Sequence, residues 1–388
     1  MMNIKELDAA YVANTYRRFP VEIVSGQGAV LKDDTGKEYI DMGTGIAVNT
    51  FGMCDPQWIA AVEAQLHKFQ HTSNLYYSEP CVKLAQLLCE KTGLKKVFFG
   101  NSGAEANECA IKVARKYAAE KKGADYNVIL TLENSFHGRT LTTLAATGQD
   151  HFHELFQPLT PGFVHAKAND LTSVEQLVKD YKIAGILFEA VQGEGGVLPL
   201  TKEFAQGLAE IAKREDIVLM ADEVQLGNGR SGALCGYMKL GITPDVVTTA
   251  KAIGGGLPLG ACMLGEKVEN VLTTGDHGST FGGNPVACAG AYSIISRLDD
   301  ILLQGVEERS QYIMDTLSGA PGIRSVTGMG LMLGIETEKP AGDVVTACRE
   351  HGVLVLTAKQ KVRLLPPLNI PMPLLEKALS VIMDACKE

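Results

Sequence analysis

The chain of 388 residues has one tryptophan, no CxxC pair and no cluster of lysine and arginine. Without paired cysteines or a His/Cys cluster at metal-ligand spacing, a structural zinc site has no sequence basis. The nine cysteines are scattered and odd in number, and read as reduced thiols that mostly fill the core. His151 and His153 would share one face of a strand, but no third ligand stands near them. With no basic stripe and a formal net charge of -9, nucleic acid is excluded as a partner. No uncharged apolar run is long enough to span a membrane. Met1 to Ala10 mixes acids and bases around no apolar core, which argues against export or organelle import and for a cytoplasmic location.

What is present is a soluble-globular balance of 46% hydrophobic and 21% charged residues, over a length that fits two domains. Strand-like runs fall at Val97-Phe99, Val128-Leu132, Ile183-Phe188, Ile217-Ala221 and Val246-Thr249, separated by amphipathic stretches such as Glu105–Lys121 and Phe204–Arg214. Short apolar strands alternating with helices predict an α/β protein with a mainly parallel sheet covered on both faces. The stretch from Gly28 to Ile40 reads as a hairpin turning at Asp34 to Gly36. After Gly282-Gly283-Asn284-Pro285 a long helical pattern begins, and the chain ends in strand-like pieces. The expected layout is a large domain over residues 51–276. Segments 1–50 and 277–388 would combine into a smaller α+β domain.

The ends of the predicted strands carry the chemistry, as they do on open parallel sheets. Lys251 follows Val246-Thr249 and precedes three glycines, Gly254-Gly255-Gly256. Burial disfavours the charged ammonium and favours the nucleophilic amine that forms a Schiff base. Asp222 directly ends Ile217-Ala221. A buried carboxylate there needs a cation, such as a protonated pyridine nitrogen, or else caps the next turn. Ser102 in Gly100-Asn101-Ser102-Gly103-Ala104-Glu105 is an N-cap candidate, with Glu105 closing a capping box, and the same helix start would cradle a phosphate.

Phe136 in Asn134-Ser135-Phe136-His137-Gly138-Arg139 is either a core aromatic or a platform for a flat ligand, and Arg139 has the fork that grips a carboxylate. Glu194, between glycines, is either a solvated loop acid or the partner of an arginine. Arg363 is the candidate, being a cation in an apolar, proline-bounded segment where an unpaired charge would be costly. Ser279 and Thr280, beside Gly278 and Gly282, are turn hydroxyls or anion donors.

Taken together, these motifs resemble the class III aminotransferases, pyridoxal 5'-phosphate enzymes of the type I fold. The resemblance runs from Tyr16-Arg17-Arg18-Phe19-Pro20 to the Arg363 segment. It implies that Lys251 carries the cofactor and shuttles the substrate proton, while Asp222 keeps the ring nitrogen protonated. Cofactor contacts would come from Ser102, Gly103, Ala104, Phe136, Glu223, Val224 and Gln225. Thr280 would reach the cofactor of a neighbouring subunit, which makes the protein a homodimer. Arg139 and Ser279 would hold the donor carboxylate. Glu194 would cover Arg363 until 2-oxoglutarate arrives.

The implied reaction moves the terminal amino group of N2-acetylornithine to 2-oxoglutarate, a step of arginine biosynthesis. Ornithine, succinylornithine and 4-aminobutyrate are alternative donors. Decarboxylation, racemisation or aminomutation is the other class of chemistry, and Arg139 and Glu194 speak against decarboxylation. Two segments depart from the family's usual pattern. They are Phe51-Gly52-Met53-Cys54-Asp55-Pro56, and Leu226 with Asn228 after the Asp222 block.

Overall fold

The structure, a computed structural model, describes residues 3–387. Its centre is a seven-stranded sheet of β1 (Lys96–Gly100), β2 (Val128–Leu132), β3 (Phe163–Ala166), β4 (Ile183–Phe188), β5 (Val218–Asp222), β6 (Val246–Thr249) and β7 (Gly260–Leu264). The spatial order is β1-β7-β6-β5-β4-β2-β3, and β7 alone runs against its neighbours. Strands β4 to β7 are buried along their whole length, as unbroken apolar runs in a two-sided sheet must be.

The five strands expected for this sheet are present within a residue or so. Two were not foreseen, β3 and β7. The first half of β7, Gly260-Ala261-Cys262, has little intrinsic strand preference, so its pairing with β1 and β6 is what holds it extended.

Helix α1 (Gly103–Lys121) crosses one face, burying Ala106, Ala110, Val113, Ala114 and Tyr117 at helical spacing. Its alanines allow a close approach to the sheet. A Cβ on Gly185 of β4 would lie 2.8 Å from that of Ala114. Helix α2 (Lys202–Arg214) is capped by Thr201, whose hydroxyl accepts from the Phe204 N–H at 3.1 Å.

The hairpin forms from Val30–Asp33 and Glu38–Asp41, and Asp33 ties its turn by accepting from Thr35 and Lys37. Glu38–Asp41 also pairs in parallel with Val353–Leu354, so the N-terminal and C-terminal stretches share one sheet. A second small sheet contains Ile323–Met329, Met332–Thr337, Leu356–Ala358 and Lys361–Leu364, the last carrying Arg363. The chain does not end in strands. Met372–Lys387 is a helix that buries Leu375, Ala378, Leu379 and Ile382, a 3–4 spacing that favours helix over strand. His151 and His153 sit not on a strand but in and just after a one-turn 3-10 helix, with His153 bonded to the Leu144 carbonyl at 2.8 Å.

Candidate active site

At the carboxyl ends of β1, β5 and β6 the structure has a cavity of about 390 Å³. Its walls include Ser102, Gly103, Ala104, Phe136, Asp222, Val224, Gln225 and Lys251. Residues from four separated stretches therefore meet in one place, because a parallel sheet delivers all its strand ends to one edge.

The helix start is built as a cradle. Ser102 Oγ accepts from the Glu105 N–H at 3.2 Å. The reciprocal half of the expected capping box does not form, since the Glu105 carboxylate instead takes the backbone N–H and side-chain amide of Asn101. Gly103 and Ala104 lie in the first turn, where N–H groups have no helical partner and the helix dipole is positive. Strand β7 packs tightly beneath it. A Cβ on Gly260 would stand 2.2 Å from the Ser102 carbonyl oxygen.

Asp222, 5% exposed, sits at the tip of β5. Its Oδ2 contacts Asn107 Nδ2 and His137 Nδ1, each at 2.8 Å, and its Oδ1 accepts from the Val224 N–H at 3.0 Å. Asn107 in turn donates to the His137 carbonyl and accepts from Thr248 at 2.7 Å. His137 Nε2 is buried with no partner among the described residues. The carboxylate is held in a fixed orientation by α1, β6 and the segment after β2.

Lys251 opens a short 3-10 turn directly after β6. Its amine makes no hydrogen bond with a described residue. Burial lowers its pKa, against the raising effect of Glu194, with Arg363 lowering it further. The result is an amine closer to its nucleophilic form than an ordinary lysine.

Beside it, Arg363 Nη1 meets Glu194 Oε1 at 2.6 Å and donates to Gln225 Oε1 at 2.9 Å. Gln225 Nε2 donates back to Glu194 at 3.2 Å. Burial acts to raise the Glu194 pKa, but the Arg363 charge and hydrogen bond outweigh it and hold the carboxyl below its ordinary value.

Arg139 is exposed, its guanidinium 5.6 Å from the Phe136 ring centroid and 5.0 Å from that of Phe152. No described carboxylate pairs with it. Ser279 and Thr280 do not line the cavity. Ser279 Oγ accepts from Asn101 and Gly282, while Thr280 is exposed. The Glu223 side chain does not line the cavity. Side chains alternate along an extended segment, so it points opposite to Asp222 and spends its carboxylate on the N–H groups of Gly236 and Tyr237, both at 2.8 Å.

Sequence reasoning missed Asn107, His137 and Glu189 as functional residues. Asn107 lies four residues after Gly103, one helical turn along the same face, and that spacing was a usable signal. Glu189 follows Phe188, whose register partner is Ala221, so it stands beside Asp222 across the sheet. Its carboxylate accepts from the N–H of Phe136 at 2.9 Å, and burial followed by the charge of Asp222 pushes its pKa well up. No pattern in the chain announces that neighbourhood.

An unpaired, half-buried lysine, a fixed buried carboxylate, a helix-start cradle and a covered arginine around one cavity define a site for amine chemistry on an anionic, planar group. The chain belongs to the class-III aminotransferase family, whose sequence profile matches residues 11–386. It is 48% identical over 387 residues to the acetylornithine aminotransferase of Haemophilus ducreyi, covering 99% of this chain and 98% of that one.

Among solved structures, the N-acetylornithine aminotransferase of Stenotrophomonas maltophilia superimposes with a TM-score of 0.85 at 34% identity, covering 98% of this chain and 97% of that one. The ornithine aminotransferase of Toxoplasma gondii, described with partial occupancy of PLP at its active site, gives 0.93 at 32% identity, covering 98% and 93%. Among the described residues no helix is long and apolar enough to cross a membrane.

Proposed function

We propose that this aminotransferase takes the terminal amino group of N2-acetylornithine and passes it to 2-oxoglutarate, with pyridoxal 5'-phosphate as cofactor. The observation that carries the reading is the unpaired amine of Lys251 in the same cavity as the immobilised carboxylate of Asp222. The residues present fit the cofactor. Gly103 and Ala104 would take its phosphate, the Phe136 ring its face, and Asp222 its ring nitrogen. When bound, the cofactor supplies an electron sink for the carbon that loses a proton.

The chain's own groups do the rest. Lys251 Nζ would hold the cofactor at its carbonyl carbon and, once freed, would carry the proton between the reacting substrate carbon and the cofactor. Asp222, fixed by Asn107 and His137, keeps a positive charge opposite its Oδ atoms. Gln225, which lines the cavity, would contact the cofactor's phenolic oxygen. Arg139 presents free N–H groups to a donor carboxylate, its face occupied by Phe136 and Phe152.

Glu194 occupies Arg363 while the donor's terminal amine reacts. When a dicarboxylate enters, it takes the place of Glu194. The names of relatives such as the Haemophilus ducreyi enzyme support acetylornithine as donor. The ornithine enzymes among the similar structures make ornithine the second donor to test.

A cytoplasmic homodimer acting in arginine biosynthesis belongs to the same reading, in which exposed Thr280 would reach the cofactor of a second subunit and Ser279 would aid Arg139. The deciding experiment is a panel of amine donors with 2-oxoglutarate, following glutamate formation in wild type and Lys251→Ala. Wild type should be yellow and active with acetylornithine, and the variant should lose both properties. Colourless wild type after incubation with the cofactor would refute the enzyme reading. Fast 4-aminobutyrate with inert acetylornithine would refute the donor assignment.

A further inference from the structure

Lys251 has a φ of 48°, in the left-handed region that a residue with a Cβ occupies only when its surroundings impose it. The carbonyls around it run through Ala250, Ala252 and Gly254, and side chains from three separate stretches reach them. Thr50 Oγ1 donates to the Ala252 oxygen at 3.1 Å, and Trp58 Nε1 donates to the Gly254 oxygen at 3.1 Å. Asn228 Nδ2 donates to Thr249 Oγ1 at 2.7 Å and reaches the Ala250 oxygen at 3.5 Å.

Thr50 and Asn228 are buried, and Asn228 is itself left-handed with a φ of 59°, a conformation its short amide tolerates. Each of the three carbonyls also accepts a backbone N–H, from Ile253, Gly255 and Leu257 respectively, so the side chains add a second anchor from outside the turn and tie it to distant stretches. Trp58 is the chain's single tryptophan, and Asn228 stands in one of the two segments that depart from the family's usual pattern.

We infer that Asn228, Thr50 and Trp58 are positioning residues that lock the turn bearing Lys251 and so aim its amine into the cavity. This rests on the reading of Lys251 as the cofactor-bearing lysine. The charged groups that bear on Lys251 are Glu194, Arg363, Asp222 and Glu189. The three positioning residues are uncharged, so their effect passes through backbone geometry rather than through the local field.

The test uses Thr50→Val, Trp58→Phe, Asn228→Gly and the Thr50→Val/Asn228→Gly double variant. Each removes a donor while keeping side-chain shape or the left-handed backbone. Two readouts are taken on folded protein. One is the rate and pH midpoint of Lys251 acetylation by acetic anhydride in cofactor-free protein, by peptide mass spectrometry. The other is the rate of borohydride-trappable attachment of pyridoxal phosphate to Lys251.

Attachment in the double variant should slow about tenfold or more, because a displaced nucleophile loses its approach geometry. The acetylation midpoint should move with it, Trp58→Phe should show the same trend more weakly, and Thr50→Ser should restore wild-type rates. Lower melting temperatures with unchanged acetylation and attachment would overturn the inference. If the double variant does not fold, the single variants decide by the same criteria. Wild type that attaches no cofactor at Lys251 would sink the functional reading, while the acetylation comparison would still decide the positioning role.

Discussion

Arg363 and Glu194 meet at 2.6 Å, although 169 residues separate them, and Gln225 hydrogen-bonds to both. The guanidinium is 3% exposed while the carboxylate keeps 31% of its surface. One partner is thus fixed in a strand of a small sheet and the other stands on a glycine-flanked loop that has room to withdraw.

That asymmetry predicts the behaviour of Glu194→Gln. With the neutral amide, Arg363 is available from the start, so glutamate should gain on acetylornithine as donor by about tenfold or more. That ratio is about 1.4 kcal/mol of changed preference. Half-reaction kcat/KM values for the two donors measure it, and an unaltered ratio would mean the pair does not gate the site.

Asp222→Asn keeps shape but removes the charge that His137 and Asn107 orient. The turnover number should fall by about a hundredfold or more, while cofactor still attaches to Lys251. Steady-state kinetics with the visible absorption spectrum separate these effects. A variant with near-normal kcat would remove Asp222 from the chemistry.

Glu223 predicts a pH dependence of stability. Burial outweighs the two N–H groups it accepts from and pushes its pKa up to about 7, from an ordinary value of 4.5. A carboxyl raised on folding gives stability that is complete below the unfolded value and is lost as pH rises through the folded one. Unfolding free energy should therefore decline between about pH 4.5 and 7, by about 3 kcal/mol at most from this group. Glu223→Gln should be less stable at pH 5 yet flatter across that window in urea titrations. A parallel pH profile in the variant would refute the assignment.

Gly260→Ala should press on the start of α1, since its Cβ would lie 2.2 Å from the Ser102 carbonyl oxygen. Backbone cannot yield as a side-chain tip can, so the expected loss is about 1–3 kcal/mol of stability. Cofactor affinity should weaken as well, because the displaced turn is the one that holds Gly103 and Ala104. Thermal melting and a pyridoxal phosphate binding titration check both parts.

The positions of the parallel strands and the amphipathic character of α1 were legible in the chain, because both rest on local periodicity. Unbroken apolar runs such as Val128-Leu132 and Ile183-Phe188 cannot serve as exposed strands, and the alanine-rich spacing of α1 has one buried side. The reactive residues stood out for a related reason. Lys251 and Asp222 are charges attached directly to the ends of buried strands, where a charge needs a partner or a reaction.

What local pattern cannot hold is which groups become neighbours once the strands are ordered. Asn107, His137 and Asp222 touch only because α1, the segment after β2 and the tip of β5 converge, and a residue's own flanks say nothing about such convergence. The same limit hid β7, whose extended form comes from its partners. The sequence by itself determined which strands carry chemistry and what kind. The tertiary structure alone decided the register, the orientation of the carboxylates and which of the two readings of Glu194 holds, because these depend on distances between segments far apart in the chain.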